Sequence, residues 1–89
     1  MTYHFVFKKV NYATNELFST YKLTTDSWKQ VEKYWVDSGL YVYEDVDHAR
    51  KDIEQYGTYS LYCDAKYFTG DGFIILVVGS TNGPINEKI

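Results

Sequence analysis

The longest unbroken apolar run in the chain is Phe-Ile-Ile-Leu-Val-Val at 73–78, opened by Gly70-Asp71-Gly72 and closed by Gly79-Ser80. Six large or β-branched apolar residues between turn-formers are too few for a helix and predict a strand. Side chains alternate along a strand, so a run without polar interruption holds both of its faces out of water. Residues 58–68 predict the preceding strand, joined to it through 69–72. Hairpin loops of two or four residues share one parity, setting Phe68 opposite Phe73, Lys66 opposite Ile75 and Asp64 opposite Val77. On that register Leu61, Cys63, Ala65 and Tyr67 with Ile74, Leu76 and Val78 floor the helices, while Tyr62, Phe68, Phe73, Ile75 and Val77 face away.

The N-terminal segment predicts a second hairpin. Residues 2–12 alternate, with Tyr3, Phe5 and Phe7 on one side and Val6 and Val10 on the other; 13–16 form a turn and 17–23 return. A four-residue loop groups Val6, Val10, Leu17 and Leu23, whereas a three-residue loop joins Phe5 and Phe7 to Leu17, Tyr21 and Leu23.

Between the hairpins the period changes from two to about 3.6. Trp28, Val31 and Trp35 form one stripe over 24–38, with Ser27 and Gln30 in capping-box spacing and Gly39 as the stop. Val46, Ala49 and Ile53 repeat the spacing over 45–56, with Tyr56 extending the stripe and Gly57 ending it. Glu44, Asp45 and Asp47 crowd the start of this second helix, where carboxylates are stabilised by unpaired backbone N–H groups. Residues 40–43 predict a short extra strand or an extended connection. The fold class is therefore α+β: two layers, a four-stranded, mainly antiparallel sheet built from two hairpins, with two helices between them in the order ββααββ. Residues 1–80 form a single domain and 81–89 a flexible C-terminal tail.

Two helices of about three turns cover one face of such a sheet and leave little chain for the other. Phe68, Phe73, Ile75 and Val77 alone would expose on the order of 400 Å², close to the largest patch a monomer tolerates. Tyr62, Phe68, Phe73, Ile75 and Val77 are thus expected to form an oligomer or ligand face, with a homodimer as the leading outcome.

Composition changes this picture in one respect. Hydrophobic residues at 45% and charged residues at 24% describe an ordinary globular chain, but aromatics reach 19%, with ten tyrosines. Tyrosine's large ring and polar tip suit contact surfaces as well as core rims. No apolar run approaches the roughly 18 residues of a membrane span, and the charged opening residues lack the centre of a signal peptide, so a cytoplasmic, non-membrane protein is expected. A net charge of −3 argues against a direct electrostatic grip on nucleic-acid phosphates.

Catalytic chemistry is not signalled. The single cysteine, Cys63, excludes a disulfide framework and the usual zinc spacings, and it falls on the expected core face as an inert thiol. His48 and Asp52 at i, i+4 outline only a solvated helix face, and Gly70-Asp71-Gly72 lacks the spacing of a phosphate loop. No catalytic residue, metal site or cofactor is expected. These features predict a noncatalytic interaction protein of inhibitor or adaptor type, of the kind phage and accessory genomes encode. Its partner surface is Tyr41, Tyr43, Glu44, Asp45 and Asp47, and a basic nucleic-acid-binding protein is one suitable target. The alternative is a binder of single-stranded nucleic acid or a small planar ligand, stacking on Tyr62, Phe68 and Phe73 with charge from Lys8, Lys9, Lys22 and Lys66.

Overall fold

The computed structural model describes residues 1–42, 44–64 and 72–85, with Cys63 and Asp64 described through their backbone alone. Four strands, β1 (Tyr3–Asn11), β2 (Leu17–Thr25), β3 (Thr58–Asp64) and β4 (Phe73–Ser80), form one sheet in the spatial order β2-β1-β4-β3. Every pairing is antiparallel. Helices α1 (Trp28–Asp37) and α2 (Val46–Tyr56) lie between β2 and β3 in the chain, giving the expected ββααββ order and an α+β fold.

Both helices pack on the same face. Trp28, Val31 and Trp35 of α1 and Ala49 and Ile53 of α2 share one buried cluster with Phe5, Phe7, Leu23, Tyr59 and Val77 of the sheet. Phe5 sets its ring against the backbone of Gly79, where a methyl group would lie 2.6 Å from the ring. A bare backbone at that point makes room beneath the helices for Phe5, the largest fully buried side chain of the sheet. The helices are tied to each other as well, by the Arg50 guanidinium lying 5.6 Å from the centre of the Trp28 ring.

The cap of α2 forms as the sequence suggests: the Asp45 carboxylate accepts from the Asp47 N–H at 2.9 Å, and Gly57 closes the helix in the left-handed region. At α1 the capping box does not form, because the Ser27 side chain makes no capping bond and only its carbonyl receives the Gln30 N–H. Of the stretch 40–43, the described residues 40–42 do not add a strand. Leu40–Val42 is a single 3-10 turn, with Leu40 fully buried and Tyr41 and Val42 turned outward. Tyr43 lies outside the described residues.

The C-terminal hairpin departs from the expected register by three positions. Cys63 stands opposite Ile75 and Leu61 opposite Val77, where Lys66 and Asp64 were expected. An odd shift reverses the faces of one strand relative to its partner, and here β4 turns over while Leu61 and Tyr62 of β3 keep their expected sides. Val77 is consequently in the core and Ile75 packs against it, while Ile74, Leu76 and Val78 turn to the face without helices. The expected oligomer face is therefore not one surface. Tyr62 is exposed on the outer side, Ile75 and Val77 are under the helices, and Phe73 sits at the sheet end against Phe18. Phe68, with Ala65, Lys66 and Tyr67, lies outside the described residues, as does the Cys63 side chain.

The first hairpin combines both of its expected registers. Phe5 faces Leu23 and Phe7 faces Tyr21, but a bulge after Lys9 leaves Phe18 unmatched and sets Val10 opposite Leu17. At the other end of the chain, the Thr81 N–H donates to the Gly57 carbonyl at 3.0 Å. Pro84 and Ile85 border a small cavity with His4 and Val6 on the outer face. The rest of the expected tail, 86–89, lies outside the described residues.

Candidate functional site: an acidic groove at the helix junction

The connection between the helices is built on two buried anchors. Gly39 leaves α1 at φ 83°, which turns the chain sharply enough for Leu40 to re-enter the core. Trp35 then donates its indole N–H to the Glu44 carbonyl at 2.8 Å, fastening the start of α2 to the end of α1. With Leu40 pointing inward, the short turn has no room to bury its neighbours, and Tyr41 and Val42 are each 61% exposed.

These residues edge a groove of about 430 Å³. Val36, Tyr41 and Val42 supply apolar surface, and Glu32, Glu44 and Asp45 supply carboxylates, with Trp35 beneath. Glu44 is held in place on two sides: its Oε1 accepts from the Asp45 N–H at 3.1 Å and lies 2.6 Å from His48 Nδ1. The imidazole is exposed, so its contact with Glu44 is a rim interaction worth about 0–1 kcal/mol.

Of the expected partner surface, Tyr41, Glu44 and Asp45 come together here, and Asp47 is exposed in the adjoining first turn of α2. Val36, Val42 and Glu32 complete the groove and were not anticipated. Val36 had a signal in the sequence, since it follows Trp35 and so falls off the buried Trp28, Val31, Trp35 stripe. Val42 had none, because a strand or extended reading of 40–43 leaves its direction open.

A second concavity, about 290 Å³, lies where the sheet runs past the C-terminal end of α1. Phe7, Leu40 and Ile75 form its apolar base, with Asp37 on one wall and Lys9 and Phe18 on the other. The Lys9 ammonium sits 4.5 Å from the centre of the Phe73 ring and 5.6 Å from that of Phe18. Phe18 itself is largely exposed. Nearby, Tyr21 donates its hydroxyl to that of Tyr34, which raises the Tyr21 pKa.

Among the described residues, no three His, Cys, Asp or Glu side chains converge on a point that could hold a metal ion, and no helix is long and apolar enough to cross a membrane. Comparison with protein-family models, curated proteins and solved structures finds no match to this chain.

Proposed function

We propose that this chain is a noncatalytic interaction protein, of inhibitor or adaptor type, that seats a basic segment of a partner protein in the groove between α1 and α2. The observation that carries the reading is the convergence of exposed Val36, Tyr41 and Val42 with Glu32, Glu44 and Asp45 around one concavity. Magnitudes divide the labour. Exposed carboxylates facing Lys or Arg contribute about 0.2–1 kcal/mol each and are screened by salt, so they steer and orient the partner. Covering an exposed valine or tyrosine contributes about 1.5–3 kcal/mol, so the apolar trio supplies the affinity. A nucleic-acid-binding protein offers the basic surface that such a rim would select.

The test is affinity capture of partners by the wild type and by a Tyr41→Ala, Val42→Ala pair, followed by titration of the captured protein. Both side chains are exposed, so the variant keeps its fold. The pair should weaken binding about tenfold or more, and Glu32→Lys should slow association most at low salt. A variant that captures the same proteins with the same affinity would remove the groove from the function.

A second reading, a binder of a planar ligand or single-stranded nucleic acid, is favoured by the Lys9, Phe18 and Phe73 cluster. An exposed ring beside an ammonium offers stacking and charge together. Oligonucleotide binding that falls steeply with salt and is lost in Phe18→Ala would move the function to this end of the sheet.

A further inference from the structure

Tyr21 on β2 and Tyr34 on α1 form a phenol pair outside the acidic groove. Their ring centres lie 4.5 Å apart at an angle of 32°, and the Tyr21 hydroxyl donates to that of Tyr34. Both rings are held from the core side, Tyr21 by Phe7 at 6.5 Å between centres and Tyr34 by the buried cluster it packs against. Hydroxyls bonded to each other on rings this close set side by side the ring carbons next to each oxygen, the positions at which two phenoxyl radicals couple. The pair borders a cavity of about 220 Å³ with Asp37, whose carboxylate can take the proton that an oxidised phenol releases. Tyr21 is exposed and Tyr34 half-buried, so an oxidant reaches one ring while the fold keeps the other beside it.

We infer that Tyr21 and Tyr34 are a site of oxidative cross-linking, at which a haem peroxidase with hydrogen peroxide joins β2 to α1 through a carbon–carbon bond between the two rings. Each phenol gives up one electron and its hydroxyl proton and becomes a phenoxyl radical. The two radicals join at carbons ortho to oxygen, and the hydrogen on each of those carbons moves to its oxygen, restoring both aromatic rings. Hydrogen peroxide takes up the two electrons and two protons and leaves as two water molecules. Geometry, not exposure, selects the pair: Tyr41, Tyr56 and Tyr62 are more exposed than Tyr21, but among the described residues no other two tyrosines bring their rings together. The bond closes a loop from 21 to 34 and so constrains the unfolded chain as a disulfide does. It also fixes to the sheet the helix that carries Glu32 and Val36 of the acidic groove.

The test treats the purified full chain with a haem peroxidase and hydrogen peroxide at about 10 μM protein, where a ring held in the same molecule outcompetes one on a second copy. The expected product is a monomer lighter by two hydrogen atoms, with dityrosine fluorescence and a bond that tandem mass spectrometry places between Tyr21 and Tyr34. It should unfold at a higher urea concentration than the untreated chain. Tyr21→Phe and Tyr34→Phe each keep the ring and remove the phenol, and each should reduce this product at least about tenfold, whereas Tyr62→Phe should leave its yield unchanged. Protein unfolded in urea before treatment should lose the product as well, because the fold and not the chain spacing brings the rings together. Four results overturn the inference: no cross-link, products that are only intermolecular, an internal bond that maps to another pair, and equal yield from folded and unfolded chains.

Discussion

Tyr59 brings a hydroxyl into the core that no described residue hydrogen-bonds. Its ring lies 5.9 Å from that of Trp35 and the side chain is only 6% exposed. Burial raises the phenol pKa well above its ordinary value, and the carboxylates of Glu44 and Asp52 raise it further. The sign of the consequence follows from proton counting: above about pH 10 the unfolded chain loses this proton while the folded chain keeps it, so stability falls as pH rises. Below that pH the contribution is fully present. Urea midpoints between pH 8 and pH 11 should therefore drop in the wild type and drop less in Tyr59→Phe. That variant should also gain up to about 1 kcal/mol at neutral pH, because an unsatisfied buried hydroxyl costs more than a hydrogen in its place. An unchanged alkaline slope in Tyr59→Phe would assign the pH dependence to other groups.

Strand and helix existence was legible in the pattern of residues, and register was not. Trp28, Val31 and Trp35, and likewise Val46, Ala49 and Ile53, repeat at a spacing that only a helix places on one face, and both stripes point to the sheet. The run from Phe73 to Val78 has no such asymmetry. Its two faces are Phe73, Ile75 and Val77 against Ile74, Leu76 and Val78, which differ too little in hydrophobicity to choose a side. The decision falls to what lies opposite, and the pairing of Leu61 with Val77 and Tyr59 with Gly79 places Gly79, the smallest residue of β4, between Tyr59 and Phe5, whose ring lies against its backbone. The candidate groove followed the same division: Glu44 and Asp45 were visible as helix-start carboxylates, whereas Glu32 was not, and the outward direction of Tyr41 and Val42 depended on a 3-10 turn set by one buried leucine. A pair of substitutions separates the two registers. Val77→Asp should abolish folding, because a lone buried carboxylate costs several kcal/mol against a total stability of about 4–13 kcal/mol for a chain of this size. Leu76→Asp, on the face without helices, should retain a cooperative melt. The reverse result by circular dichroism would restore the register expected from loop parity.

In the whole molecule, β1 holds the sheet together from the two ends of the chain. It pairs with β2, which follows it directly, and with β4, which is made last. Phe5 and Phe7 on β1 contact Trp28 and Trp35 on α1, and the same cluster includes Tyr59 and Val77 from the second hairpin. No part of the core is complete until β4 is inserted between β1 and β3. Without Tyr59 and Val77 the cluster around Trp35 is left open, and the first hairpin with its two helices buries too little to offset the entropy of ordering them. The domain should therefore unfold as one unit, with tryptophan fluorescence and far-ultraviolet circular dichroism giving coincident urea transitions of slope about 1 kcal/mol/M. A fragment of residues 1–57 contains β1, β2 and both helices, including both tryptophans of the core, yet it should show the fluorescence of an unfolded chain. Adding a separate fragment of residues 58–89 should restore the blue-shifted emission of buried indoles, because the missing element is a central strand and its neighbour. A folded 1–57 fragment would mean that the helices and first hairpin close a core by themselves, and the dependence of α1 on the C-terminal strands would be lost.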